Sequence, residues 1–248
     1  MQRPNIIVQV AASVDGRISL GPNRTMFDEM GDPRTDNNMW EQVENRIKEL
    51  HNPEVDMLGS NSLVKEGAEL KQLPEYKVDN QTLFSDYLPE NVINRKGHQG
   101  WLVIVDGRGR IRSGLKESPD RPGWHTLHFV SNNVSPEYLA FLQDKNIPYL
   151  ISGEERVDLE KCMAKLKGKL GVNNIVTTSG GKLAGALMRK GLIDEVNLII
   201  KPRIIGGFNT PTLFDSPDLG PEESPLELNL VSTKVKKDGY LWLRYKIK

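Results

Sequence analysis

The sequence predicts an α/β fold: one domain over residues 1–248, with a mixed sheet flanked by helices and a C-terminal antiparallel hairpin. Three observations predict it. Short apolar, β-rich runs alternate with amphipathic segments along most of the chain, which is the order of parallel βα units. Glycines mark the joints between them, most clearly Gly180-Gly181 between a strand-like run and a helix-like one. The last two apolar runs flank Asp238-Gly239, a dipeptide that favours a tight hairpin.

The elements follow in order. Pro4 precedes Asn5-Ile6-Ile7-Val8-Gln9-Val10-Ala11-Ala12, a β-rich run with no helical period, read as a buried strand. Over residues 36–50, Trp40, Val43, Ile47 and Leu50 recur at spacings of three and four among charges. That is an amphipathic helix with Thr35 or Asp36 as its N-cap. Further strands are expected at residues 55–58, 101–105, 126–130, 147–151, 174–177 and 196–200. Helices are expected at 136–143, 159–170 and 183–189, the last stopped by Gly191 in the C′ role. Residues 226–236 and 240–247 form the terminal hairpin. The tract 65–100 is polar, carries Pro74 and Pro89, and has only scattered apolar residues such as Leu83, Phe84 and Leu88. It reads as an insertion or lid.

Composition narrows the function. Of 248 residues, 33 are Lys or Arg and 33 are Asp or Glu, so the chain lacks the basic field that general nucleic-acid or anionic-membrane binding requires. A local basic pocket for one phosphorylated ligand remains open. Cys162 is the single cysteine, so no intramolecular disulfide and no cysteine-based zinc site can form. The run Ile6-Ile7-Val8 is too short for a signal peptide, and no stretch approaches the ~20 apolar residues of a membrane helix. The expectation is a soluble, cytoplasmic protein acting on a small molecule, with no nucleic-acid or membrane partner.

The richest stretch is Ile175-Val176-Thr177-Thr178-Ser179-Gly180-Gly181-Lys182-Leu183-Ala184-Gly185-Ala186. A strand runs through two glycines directly into a helix, whose N-terminal N–H groups and positive dipole end suit a pyrophosphate. The same glycines equally suit an ordinary tight βα turn, and Lys182 reads as a phosphate partner or a solvated lysine. The spacing is not that of the G-x-G-x-x-G dinucleotide fingerprint.

Two more stretches accompany it: Ala11-Ala12-Ser13-Val14-Asp15-Gly16-Arg17-Ile18, and Leu192-Ile193-Asp194-Glu195-Val196 running on to Lys201-Pro202-Arg203-Ile204-Ile205-Gly206-Gly207. Together the three resemble the reductase domain of riboflavin biosynthesis, a member of the dihydrofolate-reductase-like family. They lie in the family's order across nearly the whole chain. No zinc-deaminase H-x-E…P-C-x-x-C signature accompanies them, so only the reductase half is represented. The resemblance implies a dihydrofolate-reductase-like sheet of about eight or nine strands, a homodimer and NADPH as cofactor.

It also implies residue roles. Ala12 matches the position whose backbone meets the nicotinamide carboxamide, and Ser62 matches a Thr or Ser near the cofactor phosphates. Glu66 falls where the family has an aspartate on the nicotinamide side. The run Val103-Ile104-Val105-Asp106-Gly107-Arg108-Gly109-Arg110 is similar to the family's strand and loop for the adenosine 2′-phosphate. Guanidinium forks at Arg108 and Arg110 suit that anion; the alternative is two solvated arginines in a Gly-rich turn. Ser179, Gly180, Gly181, Lys182 and Leu183 match the phosphate-binding turn. Asp15 and Glu66 are the carboxylates expected nearest the chemistry, although Val-Asp-Gly-Arg is also a good turn in which Asp15 caps backbone N–H groups.

The substrate half departs from the family. Thr178 stands where the riboflavin enzymes have a glutamate contacting the pyrimidine. The family's D-D-P-x-L-x-x-R reads Glu66-Gly67-Ala68-Glu69-Leu70-Lys71-Gln72-Leu73, keeping Leu70 and losing the arginine that grips the ribose phosphate. Lys71, Arg46 and Lys48 are candidate replacements. His125 and His128 have H-x-x-H spacing but alternate faces in a strand, so no metal site is expected. Cys162, beside Met163 and Leu166, reads as a buried structural thiol.

The expected activity is NADPH-dependent reduction of a phosphoribosylamino-pyrimidine, of the 5-amino-6-(5-phosphoribosylamino)uracil type, to its ribitylamino product by hydride transfer to C1′. A dihydropterin or dihydrofolate-type reductase is the first alternative. An NADPH-binding module without efficient turnover is the second.

Overall fold

The computed structural model describes residues 2–30, 38–76, 80–236 and 238–248. The chain is the expected mixed α/β fold, with two compact units in it. Unit one holds Met1–Pro4 and Glu54–Asn173; unit two holds Asn5–Pro53 and Asn174–Lys248. In chain order the elements are β1 (Asn5–Ser13), α1 (Met26–Met30), α2 (Asn38–His51), β2 (Val55–Gly59), α3 (Asn80–Leu83), α4 (Glu90–Ile93), β3 (Gly100–Val105), β4 (Trp124–Val130), α5 (Pro136–Asp144), β5 (Tyr149–Ile151), α6 (Leu159–Leu170), β6 (Asn174–Thr177), α7 (Gly181–Arg189), β7 (Glu195–Lys201), β8 (Leu228–Val235) and β9 (Leu241–Ile247).

Unit one is a parallel sheet in the order β5-β4-β3-β2. Its strands are continuous apolar runs because both faces are covered: Trp101 through Ile104 are all buried. Helix α5 starts where Ser135 accepts a hydrogen bond from the Tyr138 N–H with Pro136 at the first turn, and α6 starts where Asp158 accepts from the Lys161 N–H. Gly171, in the left-handed region at φ +69°, ends α6.

Part of residues 65–100, the tract expected as an insertion or lid, packs on the core of unit one. Leu83 lies buried with Val130, Tyr138, Leu139 and Tyr149, and Leu73, Tyr76 and Tyr87 pack against them. Asp86 accepts hydrogen bonds from Lys165 (2.8 Å), Lys169 (2.7 Å) and the Ile151 N–H (3.0 Å). A buried leucine and two ion pairs tie this segment to unit one. Low overall hydrophobicity concealed this, because a few well-spaced apolar side chains are enough to anchor a short segment.

Unit two has the order β6-β1-β7-β9-β8, with β6, β1 and β7 parallel and β9 antiparallel to both neighbours. The terminal hairpin therefore forms as expected, Gly239 at φ +87° donating to the Lys236 carbonyl. Helix α2 lays Met39, Val43 and Ile47 against Ile7, Val176 and Ile199. Its expected N-cap at residues 35–36 lies outside the described residues. Helix α7 ends as expected at Gly191 (φ +61°), with the Leu192 N–H donating back to Leu187. One buried polar cluster is fully paired: the Glu195 carboxylate accepts from Arg244 Nε and Nη2 (2.7 Å each) and Asn197 Nδ2 (2.9 Å), and lies 3.2 Å from His51 Nε2. Burial opposes charge on Glu195, yet Arg244 and Asn197 hold its carboxyl below the ordinary value.

Candidate active site

In parallel α/β sheets, ligands bind beyond the carboxyl ends of the strands, where backbone donors and loop side chains collect. In unit two those ends are Ser13 of β1, Thr177 of β6 and Lys201 of β7, and all three motif stretches converge there. The Val14 N–H donates to the Arg203 carbonyl (2.9 Å), and Ile18 to Pro211 (3.1 Å). The Ile18 side chain fills the space a Cβ on Gly180 would need.

The Gly-rich turn has a structural load that its sequence did not reveal. Gly181 sits at φ +57°, and its N–H donates to the carbonyls of Thr212 (3.0 Å) and Leu213 (3.1 Å). A Cβ on Gly185 would overlap the Asp215 carbonyl. Both glycines therefore admit the 212–215 segment of the same chain. A valine at Gly181 would strain the backbone and crowd Asp215, whatever binds nearby. Helix α7 has no side-chain cap at Gly180, unlike α5 and α6. Ser179 is buried, Lys182 exposed, Leu183 and Thr178 half-buried, and Ala12 buried in β1 opposite Ile200.

Asp15 is a strap between loops. Its carboxylate accepts from Ser13 Oγ (2.6 Å) and from the N–H groups of Ile205 (3.0 Å) and Gly206 (2.7 Å). The Ser13 hydroxyl and these backbone donors hold its pKa at about 2. A carboxyl ionised at neutral pH cannot serve as a general acid. Its contacts are those of the turn reading, in which Asp15 caps backbone N–H groups.

In unit one the corresponding strand ends are Gly59 of β2 and Val105 of β3. Arg110, 6% exposed, spends its guanidinium on the loop after β2: Nη1 on the Asn61 side-chain oxygen, and Nη2 on the carbonyls of Val64 (2.8 Å) and Lys65 (2.6 Å). The same turn places Ser62, half-buried, in a single 3-10 turn. Arg108 is exposed, and its two terminal nitrogens meet the two oxygens of Glu66 at 2.8 and 3.0 Å. Glu66 also lies 3.7 Å from Arg110. The structure therefore pairs Glu66 with the arginines expected to receive a phosphate. Sequence reasoning could not see this pair, because 42 residues separate its members.

Beneath the turn from Gly107 to Arg110 lies a buried network the sequence also concealed. Asp106 Oδ2 accepts from the Ile111 N–H (2.7 Å) and the Tyr138 hydroxyl (2.9 Å), and His128 Nδ1 is 3.1 Å from that hydroxyl. Burial pushes His128 down to about 4 and Tyr138 well above 10. With Tyr138 donating to Asp106, the neutral His128 completes the chain as donor through Nδ1–H. His125 meets His98 rather than His128, Nδ1 to Nδ1 at 2.8 Å. No group of three or more metal-capable side chains occurs among the described residues. Cys162 is buried, and burial raises its thiol to about 12.

The candidate substrate residues fall in two places. Leu73 packs on the core of unit one, Leu70 is half-buried, and Lys71 is exposed, its carbonyl accepting from Arg112 Nη1 (2.9 Å). Leu73 stands at the family's arginine position as a packing residue. Arg46 pairs with Glu49 (2.9 Å) and Lys48 with Glu44 (3.0 Å) along α2, as on a solvated helix face.

Comparison with known proteins agrees with the fold. The RibD C-terminal domain family matches residues 4–242. The 2,5-diamino-6-ribosylamino-4(3H)-pyrimidinone 5′-phosphate reductase of Methanothermobacter thermautotrophicus is 25% identical over 92% of this chain and 91% of its own. The protein of the same name from Archaeoglobus fulgidus is 28% identical over 86% and 87%. Among solved structures, a pyrimidine reductase-like protein from Corynebacterium diphtheriae superposes with a TM-score of 0.64 at 16% identity, covering 99% of this chain and 92% of that one. With its family matched almost end to end and its three motifs joined at one set of strand ends, the chain belongs to the RibD C-terminal domain family.

Proposed function

We propose that this chain is a reductase of riboflavin biosynthesis that converts the ribosylamino group of a 5-phosphoribosylamino-pyrimidine to ribitylamino. The observation that carries the reading is the match, over most of both chains, to two archaeal proteins named as 2,5-diamino-6-ribosylamino-4(3H)-pyrimidinone 5′-phosphate reductases. Those names favour the diamino-pyrimidinone over the deaminated uracil as substrate.

The family implies a reduced nicotinamide cofactor, and NADPH is the form proposed here; bound, it supplies the hydride that reaches C1′. The residues present fit it in parts. The uncapped first turn of α7 offers backbone donors to a pyrophosphate, from Lys182 and Leu183 rather than Gly181, whose N–H is already engaged. Arg108 offers a guanidinium suited to a 2′-phosphate. Arg110 shapes the loop that carries Ser62 and Glu66, and Gly107 lies in the turn held by Asp106. Ala12 and Ser179 keep the roles that the resemblance gives them. An open-chain imine accepts hydride readily, so the chain's task is to hold two carbons at reacting distance and keep its loops fixed. Asp15 does the second.

We also propose a homodimer. Strand β8 is a sheet edge exposed along its whole length, with Leu228, Leu230, Val231 and Val235 among its exposed side chains. Such an edge invites cover by a second chain. Among the described residues, no helix is long and apolar enough to cross a membrane.

The test supplies NADPH with the diamino-pyrimidinone phosphate and follows loss of reduced-nicotinamide absorbance, with mass analysis of the product. Consumption of cofactor with gain of two hydrogens supports the reading. Cofactor binding without oxidation, on this substrate and on a dihydropterin, overturns it in favour of a binding module.

A further inference from the structure

We propose that Glu66 is a built-in competitor for the phosphate at Arg108, and that it sets how strongly this chain prefers NADPH to NADH. The inference rests on the reading of Arg108 as the 2′-phosphate partner. Both terminal nitrogens of Arg108 already meet carboxylate oxygens, at 2.8 and 3.0 Å. This is the two-pronged geometry in which a guanidinium also binds a phosphate, so carboxylate and phosphate contend for the same fork.

The carboxylate is placed there by the backbone on both sides. Arg110 holds the carbonyls of Val64 and Lys65, the two residues leading into Glu66. On the other side, Asp106 binds the Ile111 N–H, and Tyr138 closes against Gly109, which lies at φ +64°. The turn bearing Arg108 is thereby anchored from beneath. Glu66 and Arg108 themselves remain 47% and 55% exposed, so the ion pair is weakly held and open to exchange.

The charge balance follows. Arg108 presents one positive charge to a 2′-phosphate dianion and Glu66 on its fork cancels it, leaving Arg110, 3.7 Å from the carboxylate, with its guanidinium committed to the loop after β2. NADH, with a hydroxyl in place of the phosphate, has no need to displace the carboxylate. Glu66 therefore weakens NADPH binding selectively.

The test measures dissociation constants of NADPH and NADH, by quenching of protein fluorescence at fixed ionic strength, for the full chain and for Glu66→Gln, Arg108→Met and the double variant. Matching thermal unfolding of all four proteins shows that each is folded. Glu66→Gln should tighten NADPH by roughly three- to tenfold and leave NADH nearly unchanged. Arg108→Met should erase the preference, and adding Glu66→Gln to it should restore nothing. If Arg108→Met lowers the preference while Glu66→Gln leaves it unchanged, the competitor role is wrong and the phosphate site stands. A gain from Glu66→Gln that persists in the Arg108→Met background is diffuse charge repulsion and also overturns the competitor role. If Arg108→Met leaves the preference intact, the phosphate reading itself fails and the inference fails with it.

Discussion

Two arginine–carboxylate forks in this protein share nearly the same geometry and differ in everything else. In unit two, Arg244 grips Glu195 at 2.7 Å through both nitrogens, with side chains 15% and 3% exposed. In unit one, Arg108 grips Glu66 at 2.8 and 3.0 Å, with side chains 55% and 47% exposed. The first is sealed against the sheet, with Asn197 and His51 as further partners of the carboxylate and little water within reach. The second lies in water, where solvent or a phosphate can replace either member at little cost. Hydrogen-bond length alone does not separate a structural pair from an exchangeable one; burial does.

The largest effect is expected at the buried fork. Glu195→Ala leaves Arg244 and Asn197 without their acceptor and should cost about 3–5 kcal/mol of unfolding free energy by chemical denaturation. A loss below ~1 kcal/mol would put this fork in the same class as the exposed one.

Next in size is the response to acid. His128 has a folded pKa near 4 against an ordinary 6.5, so folding favours its neutral form. Its contribution is complete above about pH 6.5 and is lost as the pH falls to about 4, a total loss of about 3 kcal/mol across that window. Burial lowers His98 and His125 as well, which adds to the loss in the same direction. Denaturant titrations across this window should show stability falling with pH, and less steeply in His128→Leu. A flat profile would contradict the buried Asp106–Tyr138–His128 network.

The Asp15 strap is smaller and local. Asp15→Asn removes the charge that draws the Ile205 and Gly206 N–H groups, so amide exchange at those two residues should quicken while β1 stays protected. The same release should come with acid, because a depressed carboxyl contributes above its ordinary 3.8 and is lost as the pH falls to about 2. Unchanged exchange at Gly206 would show that the loop holds without the strap. Smallest of all, Glu66→Ala should change global stability by less than ~1 kcal/mol, since the pair is exposed. A larger loss would mean that the fork is structural after all.

The sequence disclosed what is local and withheld what is long-range. Strands β1, β3 and β4 show as apolar runs because both of their faces are covered, and Gly191 shows as a helix stop because only a left-handed residue fits there. The short helices α1, α3 and α4 were missed, since four or five residues carry too little period to register. At the candidate site, the motifs could be read and they meet at one set of strand ends, but their partners did not show. Asp15 meets residues about 190 positions away, and Glu66 meets Arg108 across 42. Spacing set His125 and His128 on opposite faces of a strand, but it could not show that the fold joins His125 to His98. Leu73 is instructive too: an arginine placed there to restore the family's contact would push a charge against the core of unit one. Thr178→Glu alone is therefore the cleaner way to probe the altered substrate half.

Hydride delivery to a sugar carbon is open to isotopic labelling. Each face of nicotinamide C4 in NADPH can be deuterated separately, and the product from the diamino-pyrimidinone phosphate then located by NMR. Deuterium should appear at C1′ of a ribitylamino chain, from one of the two labelled cofactors and not from the other. Deuterium in the ring of a pterin substrate with none at C1′, or no transfer to either substrate class, would contradict it.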